Sequence, residues 1–158
     1  MHPTHEITTP YPTPITYHPV GILDRMTTAL AAVPAVCFTG ALLTDIAYAN
    51  SPDMQWTNFS AWLLAVGMVF AVIATVSAII AYIAGPRTSP SLGNWLFAGS
   101  IALILVTAMI NNLVHSRDAW SSVVPTGLTL SALTVILMIA AAFLHYRNVS
   151  LAYWEKVS

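Results

Sequence analysis

Phe59–Gly85 reads FSAWLLAVGMVFAVIATVSAIIAYIAG, and this stretch decides the fold. It holds no Asp, Glu, Lys, Arg or His, and it exceeds the roughly 20 apolar residues that a helix needs to cross a bilayer. A soluble fold has no use for such a run. Similar runs flank it, so the sequence predicts an all-α integral membrane protein with four transmembrane helices in an antiparallel bundle, spanning residues 26–48, 59–84, 94–115 and 125–147. Composition agrees. Hydrophobic residues make up 57% of the chain and charged residues 7%, against about 25% charged in ordinary soluble proteins.

Outward from that run, the chain divides into a Pro-rich arm (1–25), the helical domain (26–147) and an interfacial tail (148–158). The arm, MHPTHEITTPYPTPITYHP over its first residues, has prolines that lack an N–H and fix φ, which predicts extended chain outside the membrane. It lacks the basic start and small-residue cleavage site of a signal peptide. Docking on a partner subunit and a loosely ordered tail are both readings of it. Pro34 falls inside the first run, where it removes one backbone hydrogen bond that neighbouring helices must replace. Pro125 opens the fourth run, a position where proline is favoured in a first turn. Tyr153, Trp154 and Lys156 in the tail suit a membrane interface.

Arg25, Arg87, Arg147 and Lys156 fall on the side shared by both termini and only Arg117 on the other, which predicts cytoplasmic termini. The net charge of −1 without a basic run gives no electrostatic footprint for nucleic acid. Cys37 is the only cysteine, so no intrachain disulfide forms. Phosphate loops, nucleophile elbows and HExxH are all missing from the sequence, and no enzyme activity is expected.

Several polar and small residues stand out against the apolar background. Gly67, Ala71 and Thr75 recur every four residues and form a face on which another helix backbone can come close. Asn111 and His115, one turn apart near the end of the third run, reach a depth like that of Asp45 on the first. Asn111 lies roughly 10 Å from the helix midpoint at about 1.5 Å per residue, inside the hydrocarbon, where an unpaired polar group is costly. These three residues fit a quinone, proton or small-ligand site, or a polar clasp tying the first and third helices through bonds worth about 1 kcal/mol each.

At the opposite end His18 and His145 share a face, and neutral imidazole can ligate haem iron. His115 and His145 cap opposite ends of spans about 30 Å apart, so they cannot bracket one haem b. Trp56, Arg117, Asp118 and Trp120 form either a partner contact patch or an ordinary aromatic belt.

The order His18-Pro19 before the first span, Asp45 at its end, then Trp62 and Gly67 in AWLLAVG resembles a family of small four-helix bacterial inner-membrane proteins classed as a domain of unknown function. The similarity covers roughly residues 17–115, through short hydrophobic motifs. Family members tend to carry a histidine and an asparagine early in the third helix; here Asn94-Trp95-Leu96-Phe97 has no histidine, which counts against a haem or metal role there. The resemblance implies a bacterial inner-membrane location and a fold, and no chemistry.

The expected function is a non-catalytic membrane subunit that anchors or stabilises a larger respiratory, dehydrogenase or photosynthetic complex, with lipid and other membrane subunits as partners. The alternatives are an electron-transfer protein holding haem b or quinone, and a small transporter or proton conductor built on intramembrane ionisable groups.

Overall fold

The structure, a computed structural model, describes residues 22–84, 92–117 and 123–157. Residues 1–21 of the Pro-rich arm, His18 among them, the connection at 85–91, Asp118 and Trp120 lie outside the described residues, as do the side chains of Tyr153, Trp154 and Lys156. Helix α1 covers Ile22–Asn50, α2 Met54–Ala84, α3 Leu92–His115 and α4 Leu128–Val157. All four spans are long and apolar enough to cross a membrane, and no strand occurs among the described residues.

The boundaries differ from the sequence expectation, α1 already beginning at Ile22, inside the expected arm. The connection between α1 and α2 is only Ser51–Asp53, because Asp53 caps α2, its Oδ1 accepting the Gln55 N–H at 2.9 Å. An acceptor at that position satisfies an otherwise orphaned N–H and starts the helix early. Pro125 does not open a regular helix. It sits in a kink at Val123–Gly127, where Val124 is extended (φ −116°, ψ 127°), as a residue before proline prefers. Residues 148–157 continue α4 as helix instead of forming a separate tail.

Consecutive helices are neighbours. Contacts are most extensive within the α1–α2 and α3–α4 pairs, and sparser between α2 and α3 and between α4 and α1. The molecule is thus two hairpins laid side by side. Each helix buries a seam at alternating three- and four-residue steps: Pro34, Phe38, Ala41, Asp45 and Tyr48 on α1; Thr57, Ser60, Leu64, Gly67, Ala71 and Ala74 on α2; Ile104, Ala108, Asn111 and His115 on α3; Ser131 and Thr134 followed by Ala141 on α4. That spacing averages 3.5 residues and is the signature of left-handed, knobs-into-holes bundle packing.

Gly67 lets the first hairpin close. A Cβ built there would stand 2.7 Å from Phe38 Cε1 and 2.9 Å from Cys37 Cβ. Ala71 continues the seam, but the next small residue on it is Ala74; Thr75 is half-buried and its hydroxyl donates to its own helix at Ala71 O, 2.7 Å. The exterior is apolar. Ile136, Ile139, Val69, Ile83 and Trp62 are exposed, whereas Asp45, Ser60, Asn111, Ser131 and Thr134 are buried. Polar inside and large apolar outside suits hydrocarbon as the surrounding solvent, since lipid is as apolar as leucine.

Candidate functional site

The buried polar residues collect at the end of the bundle where α1 and α3 finish and α2 and α4 begin. Asp45 lies five residues before the end of α1, Ser60 six after the start of α2, and Ser131 three after the start of α4. Antiparallel neighbours therefore bring them to one level. His115 is the last residue of α3, and its side chain reaches back toward the helix N-terminus, the direction in which helical Cβ bonds tilt.

Asp45 is the hub. Its side chain is fully buried, and every oxygen is met by another helix. Ser60 Oγ on α2 donates to Oδ1 at 2.5 Å, Ser131 Oγ on α4 donates to Oδ2 at 2.6 Å, and His115 Nε2 on α3 stands 3.0 Å from Oδ1. A further layer supports these groups. Asn111 Nδ2 donates to Ser131 Oγ at 2.8 Å, which fixes the amide orientation, since the single Ser131 proton is committed to Asp45. Thr44 Oγ1 lies 2.7 Å from Ser60 Oγ.

The imidazole geometry sets the proton inventory. His115 Nδ1 lies 3.1 Å from the carbonyl oxygen of Asn111, which can only accept, so Nδ1 carries a hydrogen. Nε2 then faces Oδ1, and that contact is favourable only with a proton between them. Either the imidazole is cationic beside a carboxylate, or a neutral carboxyl donates to Nε2. Both arrangements hold the same number of protons and no net charge, and they differ by a shift along a 3.0 Å line.

Among the described residues, three buried side-chain polar atoms have no hydrogen-bond partner: Asn111 Oδ1, Thr57 Oγ1 and Thr27 Oγ1. Asn111 Oδ1 is at the edge of the Asp45 cluster; Thr57 is one turn before Ser60. Away from the cluster, the buried hydroxyls of Thr107 and Thr134 are satisfied locally, by Leu103 O and Leu130 O, both at 2.8 Å.

Of the residues singled out in the sequence, Asp45 and His115 touch directly and Asn111 joins them through Ser131. Ser60 and Ser131 were missed. Their small uncharged side chains give no composition signal, and only matching their heights against Asp45 across the two turns could have found them. His145 is exposed at the other end, its ring tilted 41° against Phe97 with centroids 5.3 Å apart. No group of three His, Cys, Asp or Glu that could hold a metal occurs among the described residues. Trp56 packs on Phe59, ring centroids 6.2 Å apart, and Arg117 follows the end of α3 at the same end of the bundle.

A family model described as a predicted membrane protein, DUF2231, matches residues 28–149. The match begins after His18 and Pro19 and takes in all four helices, α4 included. No curated protein and no solved structure matches the chain.

Proposed function

The chain belongs to the DUF2231 family of predicted membrane proteins, and from that premise we propose that it is a non-catalytic subunit of a larger bacterial inner-membrane complex, with both termini cytoplasmic. One observation carries the reading: the Asp45 carboxylate is saturated by side chains from the other three helices. A hub filled in this way serves to hold two hairpins in register, as interhelical hydrogen bonds do in membranes. The work of such a protein lies on its outside, where exposed Trp62 and Trp95 add large aromatic surface to the aliphatic face. Purification in mild detergent tests this: a stoichiometric second polypeptide is expected, and a lone monomer with none would overturn it.

A second reading draws on the shared proton. A buried Asp45–His115 pair beside the unpartnered Asn111 Oδ1 has the ingredients of a proton or quinone site, because intramembrane ionisable groups mark such pathways. Proton flux into proteoliposomes that is abolished by Asp45→Asn and by His115→Ala would favour this reading over the subunit role. Flux equal to that of empty vesicles removes it.

A further inference from the structure

The Asp45–His115 pair sits close to one face of the bundle and far from the other. Five residues separate Asp45 from the end of α1 and 23 from its start, about 8 Å against about 35 Å at about 1.5 Å per residue. His115 is the last residue of α3, and Ser116 and Arg117 after it are exposed, so local opening of one helical turn brings the imidazole to water. In the other direction the seams turn apolar, and Phe38, Leu64, Ile104, Ala108 and Ala141 form one buried cluster. The hydroxyls at that level, on Thr107 and Thr134, donate to their own helices and extend no chain of donors and acceptors. Beyond the cluster, residues 25–33, 75–84, 92–103 and 142–150 contain no buried residue. A proton leaving the pair has one way out.

The same pair ties the two hairpins together. Of the three bonds to Asp45, the one from Ser60 lies within its own hairpin, whereas His115 and Ser131 belong to the other. When the shared proton passes to water, Nε2 of a neutral imidazole and Oδ1 of a carboxylate face each other at 3.0 Å as two acceptors, and the carboxylate becomes a buried charge with only hydroxyl donors. A buried charge that loses its partner is strongly destabilising, and the strain is relieved when α3 moves away from α1 at this end and admits water to Asp45. Among the described residues, little else titrates nearby. α2 carries no ionisable side chain before Tyr82, Val123–Gly127 none, and α4 none before His145. Tyr48 is buried three residues after Asp45 on the same seam of α1, and Asp53 and Arg117 are exposed just past the helix ends.

We propose that Asp45 and His115 form a proton-operated latch between the hairpins, in exchange with water only at the membrane face where α1 ends and α2 begins. With its proton the latch is closed; alkaline solution at that face takes the proton and parts the hairpins there. The latch senses pH on one side and passes no proton across, which separates it from the conduction reading, and it does not depend on the subunit reading.

The test uses the full chain carrying Cys37→Ala, with nitroxides attached through Asn50→Cys and Ser116→Cys, exposed positions just past Asp45 and His115 on opposite hairpins. Proteoliposomes are sorted by a C-terminal affinity tag for an exterior C-terminus, which puts the latch face inside. Double electron–electron resonance on rapidly frozen samples reads the distance with interior and exterior pH set separately between about pH 6 and about pH 10, a span that includes the ordinary imidazole value of about 6.5. An alkaline interior is expected to shift the distribution from a single short distance to a longer one, with the far-UV helix signal unchanged, and an alkaline exterior alone to leave it short. Asp45→Asn, whose amide donates to Nε2 with no shared proton to lose, should stay short throughout, and Tyr48→Phe should respond as wild type does. The proposal is overturned if the distance ignores interior pH, if exterior pH shifts it, if Asp45→Asn responds like wild type, if Tyr48→Phe abolishes the response, or if the helix signal falls with the shift. Proton flux above that of empty vesicles also overturns it, in favour of conduction.

Discussion

Removing the Asp45 carboxylate perturbs the one point at which all four helices are joined, and the cost can be worked from its three bonds. Asp45→Ala deprives Ser60, Ser131 and His115 of their shared acceptor. At about 0.6 to 1.7 kcal/mol for each interhelical bond in a membrane, the loss is about 2–5 kcal/mol. His115→Ala instead leaves Asp45 with two hydroxyl donors and no imidazole to share its proton, a buried pair broken from one side, for which about 3–5 kcal/mol is typical. The double variant leaves neither partner of the pair behind, and Ser60 can turn to Ala41 O, already 3.4 Å away. It should therefore cost less than the sum of the single variants, with a coupling of about 1–3 kcal/mol. Reversible unfolding in mixed micelles measures all four corners of the cycle. Asp45→Asn is the control: its amide can still accept from a serine and donate to Nε2 of a neutral imidazole, so it should lose less than Asp45→Ala. Additive single-variant costs, with a coupling below about 0.5 kcal/mol, would refute the shared-proton hub.

Gly67→Ala places a methyl group against Phe38 and Cys37 and should cost about 1–3 kcal/mol by overpacking; Phe38→Leu in the same chain should recover part of that, read from the same unfolding midpoint. Cys37 is buried beneath this contact, so a maleimide should label it slowly in wild type and faster in Gly67→Leu, as followed by intact mass. Thr134→Val removes a hydroxyl bonded only within its own helix and should change stability by under about 0.6 kcal/mol, far less than Ser131→Ala, which cuts the tie to Asp45. Ile139→Ala, on the outward face of α4, should leave folding in micelles unchanged within about 0.5 kcal/mol, because lipid replaces the lost contacts; a larger loss would mean that the face packs on protein.

How much could be read in advance depends on the kind of signal. The apolar run at Phe59–Gly85 and its three companions carry the solvent preference of each helix in plain composition, and helix existence and class followed from it. The depth of Asp45, Asn111 and His115 was equally legible, because a polar residue inside an oily run is conspicuous and rise per residue converts sequence distance into height. Thr75 shows the limit of this kind of reading. A spacing of four suggested that it faces a neighbouring helix, but the bundle's 3.5-residue seam passes through Ala74 instead.

What the amino-acid order alone determined, then, is that four helices must live in hydrocarbon, since their backbone groups are satisfied locally and their side chains shun water. Which polar groups meet was decided only when the hairpins packed. Asp45 and Ser131 are 86 residues apart in the chain, and nothing local records their contact. It arises because an unpaired carboxylate in lipid is costly and the one arrangement that supplies it with donors from α2, α3 and α4 also sets the register of the bundle, leaving the opposite end open.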